Sequence, residues 1–110
     1  RGSSDTTEEV AYYKKLINFF PTNPNALNSY GWRMSELEMN LADALDKTKL
    51  AVQLSNEDLE SKANILDTEA EILWKLGRVD EAIQTIEKAI LINPTREYFS
   101  DQKNKFLESL

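Results

Sequence analysis

Apolar residues recur three and four positions apart along this chain, in six stretches broken by Pro, Gly and short polar runs. That period puts each set on one face of a helix. The first stretch covers Thr7 to Phe20, with Val10, Tyr13, Leu16, Ile17 and Phe20 on the stripe. Thr6, with Glu9 three residues on, fits a capping box. Pro21 and Pro24 end it. Asn23 is placed to cap the next helix, and Pro24 falls at its first position, where a missing N–H costs nothing. The second stretch, Pro24 to Leu37, carries Leu27, Tyr30, Gly31 and Met34. The third, Leu41 to Leu54, carries Leu41, Ala44, Leu45, Thr48, Ala51 and Val52. Ser55 or Asn56 is the expected cap of a fourth helix that reaches Leu76 through Leu59, Leu66, Ala70 and Leu73. Gly77 supplies the left-handed C-terminal residue. The fifth stretch, Val79 to Ile92, presents Ala82, Ile83, Ile86, Ala89 and Ile90 and stops at Asn93-Pro94. Thr95 is the expected cap of a last helix with Phe99, Phe106, Leu107 and Leu110. Period-two alternation and Gly-containing hairpin dipeptides are absent, so an all-α domain is predicted.

Composition narrows the function classes. With 41% hydrophobic and 29% charged residues, the 110-residue chain is an ordinary globular mix that can bury a core. It has no Cys and no His. Thiolate chemistry, Cys-based metal sites and the commonest general base are therefore excluded. Net charge is −6, with the acidic excess between residues 25 and 94. No basic face emerges, which argues against nucleic acid and anionic membrane as partners. No apolar run approaches a membrane span and no signal peptide is visible, so membrane insertion is not expected. The chain is expected to be soluble, in cytoplasm or periplasm. Arg1-Gly2-Ser3-Ser4 reads as a cloning scar or trimmed linker, and residues 1–6 are set aside from the fold.

Small residues fall at fixed places on facing helices. The run Leu66, Ala70, Leu73, Gly77, Ala82, Ile86, Ala89, Pro94 is a helix, a Gly turn, a second helix and a Pro stop. A weaker copy is Leu27, Tyr30, Gly31, Met34, then Ala44, Thr48 and Ala51. These residues resemble the tetratricopeptide repeat, a helix–turn–helix unit of about 34 residues. In the second copy Glu69 stands where an apolar residue is usual. In the first, the turn Gly is missing and Thr48 replaces a bulky apolar residue. Pro21 and Pro94 are 73 residues apart. That is two periods plus one extra residue near Glu36–Asn40 and an added turn near Asn56–Ser61. The resemblance divides the chain into the second helix of a partial repeat (7–22), a first repeat (23–56), a second (57–94) and a capping helix (95–110). It implies a right-handed superhelix of about six helices.

In that family the first helix of each hairpin lines a concave groove that binds a protein or peptide. The implied groove residues are Asn25, Asn28, Ser29, Trp32 and Glu36, then Asn64, Asp67, Thr68, Glu71 and Lys75. Trp32 lies one position past Gly31 and should point off the core stripe, as a peptide anchor; the other reading packs it on Leu16 to Phe20. Trp74 reads as core, or as an interface with the last helix. Some family members hold a partner's C-terminal carboxylate with Lys, Arg and Asn. Here Asp67 and Glu71 would meet it with like charge, so basic or amide-rich segments fit better.

The carboxylates Asp67, Glu69 and Glu71 crowd one helical stretch, and Asp43 and Asp46 another; paired carboxylates can serve as acid and base or bind hard cations. Acidic residues on helix faces beside Lys and Arg are ordinarily surface. With no phosphate loop, nucleophile elbow or metal motif, neither a cofactor nor catalysis is expected. Two function classes remain. One is a non-catalytic protein-binding scaffold. The other is a structural appendage of a larger protein, resembling the C-terminal appendages of bacterial proteins, some of thioredoxin type. The appendage would dock within its own chain, or self-associate as a homodimer through Tyr12, Tyr13, Leu16 and Phe20 on the first helix.

Overall fold

Asn23 starts the first hairpin as its chemistry dictates. Its Oδ1 accepts from the backbone N–H of Asn25 (2.9 Å) and of Ala26 (3.1 Å), while Pro24 opens the helix. In the computed structural model, which describes residues 3–110 and side chains from Asp5 on, six helices follow one another. They are α1 (Ser3–Phe19), α2 (Pro24–Leu37), α3 (Leu41–Leu54), α4 (Leu59–Lys75), α5 (Val79–Ile92) and α6 (Glu97–Glu108). No strand occurs among the described residues.

The helix bodies follow the sequence periods, and three caps differ. α1 begins at Ser3, so Thr6 lies inside the helix and caps nothing. α4 is capped by Asp58 rather than Ser55 or Asn56. Its two carboxylate oxygens take the backbone N–H (3.1 Å) and the hydroxyl (2.8 Å) of Ser61. At α6 the cap position belongs to Arg96, with no side-chain cap bond. Thr95 instead sits 3.3 Å from Asn93 Oδ1. Gly77 takes the left-handed conformation that ends α4 (φ 81°). The first hairpin has no turn Gly, and Glu38 and Asn40 adopt that conformation in its place (φ 54° and 52°).

Each hairpin buries its stripe against the next. Leu27, Tyr30 and Met34 of α2, Ile65, Ile72 and Leu73 of α4, Ile86 of α5, and Phe99 and Phe106 of α6 are essentially inaccessible. Fully buried Ala44, Ala51, Ala70, Ala82 and Ala89 let the helices approach closely. Thr48, which departs from the usual bulky residue, faces Gly31 across the α2–α3 contact. A Cβ on Gly31 would overlap the Thr48 hydroxyl. That hydroxyl donates back to Ala44 O (2.7 Å). A bulky residue at 48 has no room there.

Backbone contacts join α2 to α3 and α4 to α5 within hairpins, and α2 to α4 and α5 to α6 between them. α1 docks on α2 alone. Among the described residues no backbone contact joins α1 to α3 or α3 to α5. Clefts of about 510 and 500 Å³ separate those outer helices. The cap α6 holds with Phe99, Gln102 and Phe106. Leu107 and Leu110, expected in its core face, are exposed. Lys103 and Lys105 reach back to Glu87 (3.0 Å) and Glu71 (2.8 Å).

Candidate functional site

The first helices of the two hairpins, α2 and α4, run side by side and leave a cavity of about 450 Å³ on their common face. Residues Asn28, Ser29, Trp32 and Glu36 sit three and four apart on α2, so one helical face supplies them. Asn64, Asp67 and Thr68 do the same from α4. The remaining walls come from elsewhere: Tyr13 from α1, Arg33 from α2, and Arg96 and Tyr98 at the start of α6.

Seven of the ten residues named from the sequence thus line one cavity. Asn25, Glu71 and Lys75 do not. Asn25 lies exposed in the first turn of α2. Glu71 is turned under α6, where Gln102 Nε2 (3.0 Å) and Lys105 Nζ (2.8 Å) both donate to its Oε1. Lys75 sits at the end of α4, bridged to Glu38 (3.5 Å). Tyr13, Arg96 and Tyr98 escaped the sequence reading because the repeat register points only to first helices; Arg33 lies on a first helix but off the register positions that the repeat assigns to the groove. The one available signal was the aromatic and basic content of the segments flanking the two hairpins.

Both arginines in the cavity are engaged. Arg33 forks onto the carboxylate of Glu9 in α1 and donates a further bond to Glu36 (3.0 Å). These partners raise the Arg33 pKa and hold the Glu9 carboxyl below its ordinary range. Arg96 donates to Asn64 Oδ1 (2.6 Å) and lies over the Phe99 ring, 4.9 Å from its centre. Asn28 Oδ1 is buried and accepts no hydrogen bond from any described residue.

Asp67 forms the acidic part of the wall. Gln102 Nε2 donates to its Oδ1 (3.0 Å), and the Tyr98 side chain favours its charged form from the same wall. Burial outweighs both and, with Glu71 beside it, pushes the Asp67 carboxyl up to about 6. Burial and the same two carboxylates push Tyr98 up to about 12. Of the other acidic candidates, Glu69, Glu71 and Asp43 are each taken by a donor. Glu69 faces away, paired with Lys49 of α3 (3.0 Å). Asp43 accepts from Tyr30 OH (2.5 Å) and Lys47 (3.2 Å), the first of which chiefly lowers its pKa. The acidic residues thus cross-link helices.

Trp32 and Trp74 divide as their positions suggest. Trp74 packs on the core and against Phe106 (5.8 Å between ring centres), with its indole N–H donating to Ser109 (2.9 Å). Trp32 is half-buried, is absent from the core cluster and borders the cavity.

Comparison with known proteins agrees with this architecture. The family model of the tetratricopeptide repeat matches residues 63–96, the length of one repeat period. A curated relative, Protein STIP1 homolog of Dictyostelium discoideum, is 30% identical over 99 residues. The matched region is 90% of this chain and 17% of that protein, so the chain spans a small part of its relative's length. Residues 63–96 match the tetratricopeptide repeat, and the chain as a whole is an all-α stack of helical hairpins similar to it.

Proposed function

We propose that the α2–α4 cavity binds an extended peptide segment of a protein partner, without catalysis. The observation that carries this is Asn28 Oδ1, a buried acceptor at a concave surface with no donor of its own. Leaving such a group unmet costs about 1–3 kcal/mol, and a rotation of the Asn28 amide toward the cavity would let a peptide N–H relieve it. Tyr13, Trp32 and Tyr98 offer three aromatic surfaces to an apolar side chain, while Ser29, Asn64 and Thr68 offer neutral hydrogen bonds. The charges leave little for a carboxylate terminus. Arg33 is neutralised by Glu9 and Glu36, Arg96 is spent on Asn64, and Asp67 is acidic. An amide-rich segment with an apolar anchor fits this lining. Trp32→Ala should weaken partner binding by about 2 kcal/mol while moving the thermal midpoint little, because the ring stands outside the core. Isothermal titration and thermal melting of the same samples separate the two effects. A large drop in melting temperature with no selective loss of binding would reject the groove.

A second reading, self-association through α1, is favoured by the exposure of Tyr12 (60%), Phe19 (78%) and Phe20 (53%). Tyr13 and Leu16, expected in the same patch, are partly covered. A dimer that forms with rising concentration in sedimentation equilibrium, and is lost in Phe19→Glu, supports this reading. One mass at all concentrations removes it.

A further inference from the structure

Glu69 departs from the repeat pattern, and nothing in the inner cavity uses it. It lies nearly buried on the opposite side of α4, at the floor of the outer cleft between α3 and α5. A carboxylate in place of an apolar packing residue is costly unless paired. Lys49 of α3 pairs it at 3.0 Å. The cleft has a volume of about 500 Å³. Its apolar lining is Val52, Leu66, Leu91 and Ile92, and its charged rim holds Lys49, Lys62 and Lys88.

The charge here opposes that of the whole chain. Three lysines face one carboxylate, and that carboxylate is consumed by Lys49, whereas the protein carries −6. Among the described residues Lys62 is met only by the neutral amide of Asn56 (2.9 Å). Lys88 makes no hydrogen bond or ion pair among the described residues. Elsewhere Lys47, Lys75, Lys103, Lys105 and Arg78 each have a carboxylate. Beside these unneutralised cations, Leu91 is 82% exposed, above any other large apolar side chain described. Lys88, Leu91 and Ile92 are three and four apart on α5, and Lys49, Val52 and Gln53 repeat that spacing on α3, so both walls alternate cation and apolar surface along one face.

We propose that this outer cleft is a second binding site, which takes an acidic peptide segment of a partner protein carrying an aliphatic side chain between its carboxylates. The aliphatic group sits on Val52, Leu66, Leu91 and Ile92, and the flanking carboxylates meet Lys62 and Lys88. The site is on the opposite side of α4 from the inner cavity and stands or falls independently of it.

The probe is a fluorescein-labelled synthetic peptide of Glu-Leu-Glu-Ser units, titrated by anisotropy against the 110-residue chain. The expected result is saturable binding that disappears when Gln replaces each Glu of the peptide. It should also weaken as salt shortens the screening length from ~30 Å to ~8 Å. Lys88→Glu and Leu91→Glu should each weaken binding by about tenfold or more, and Trp32→Ala by less than about twofold. Amide-shift mapping on the unmodified chain requires no variant: the expected shifts fall on residues 49–53 and 88–92 and at Lys62. No saturable binding, equal binding of the Gln peptide, shifts confined to the Asn28 and Trp32 face, or binding of octanoate without binding of the peptide each overturns the proposal.

Discussion

Asp67 shows how one buried carboxyl sets a dependence on pH. Burial lifts it to about 6 from its ordinary 3.8, so the folded chain holds that proton more tightly than the unfolded chain does. Stability from this group is fully present below about pH 4 and falls as pH rises through about 6. Asp43 works in the opposite sense, since its lowered pKa gives stability that is lost on acidification. Asp67→Asn removes only the first effect and keeps an acceptor for Gln102. At pH 7 the variant should be more stable than the parent by about 1–2 kcal/mol, an advantage that vanishes near pH 4. Urea midpoints of both proteins at pH 4 and 7 measure this; an equal gap at the two pH values would refute it.

Among elements, α2, α3 and α5 were legible to the residue, α3 from its apolar period and the other two because groups with a single local use bound them. Asn23 with Pro24 opens α2, and Gly77 separates α4 from α5. Caps were illegible where several competent residues stand in a row. Ser55, Asn56 and Asp58 can each cap a helix, and the choice falls to Asp58 because Ser61 answers it with two donors. The cavity was half legible. Residues at helical spacing on α2 and α4 follow from period alone, whereas Tyr13, Arg96 and Tyr98 arrive from α1 and α6 by tertiary packing that period does not encode. The Gly31–Thr48 contact also needed the structure: in sequence it looks like a weak copy, and in space it is a matched pair. Ala at 31 is the better helix former by about 1 kcal/mol, yet its Cβ would strike the Thr48 hydroxyl. Gly31→Ala should therefore destabilise by about 1–3 kcal/mol, and adding Thr48→Ala should recover part of the loss. Chemical denaturation of the two singles and the double tests this. Purely additive losses would show that the two positions do not couple.

At the scale of the molecule, cohesion is unequal along the stack. The hairpin of α4 and α5 is held on both sides, by α2 and α3 before it and by α6 after it, while α1 leans on α2 through Val10, Tyr13, Ile17 and the Glu9–Arg33 bridge. α1 should thus detach in a subglobal opening that costs less than full unfolding. Native-state hydrogen exchange should give its amides the lowest protection of any helix and those of α4 the highest; uniform protection would contradict this. Tyr13 rides on α1 and walls the inner cavity. A molecule seated there would have to recruit α1 from its open population, so some of its binding free energy goes into ordering that helix. The first helix then becomes the reporter of occupancy: its exchange slows when the cavity fills, and loosening it by Glu9→Gln weakens a ligand that never touches residue 9.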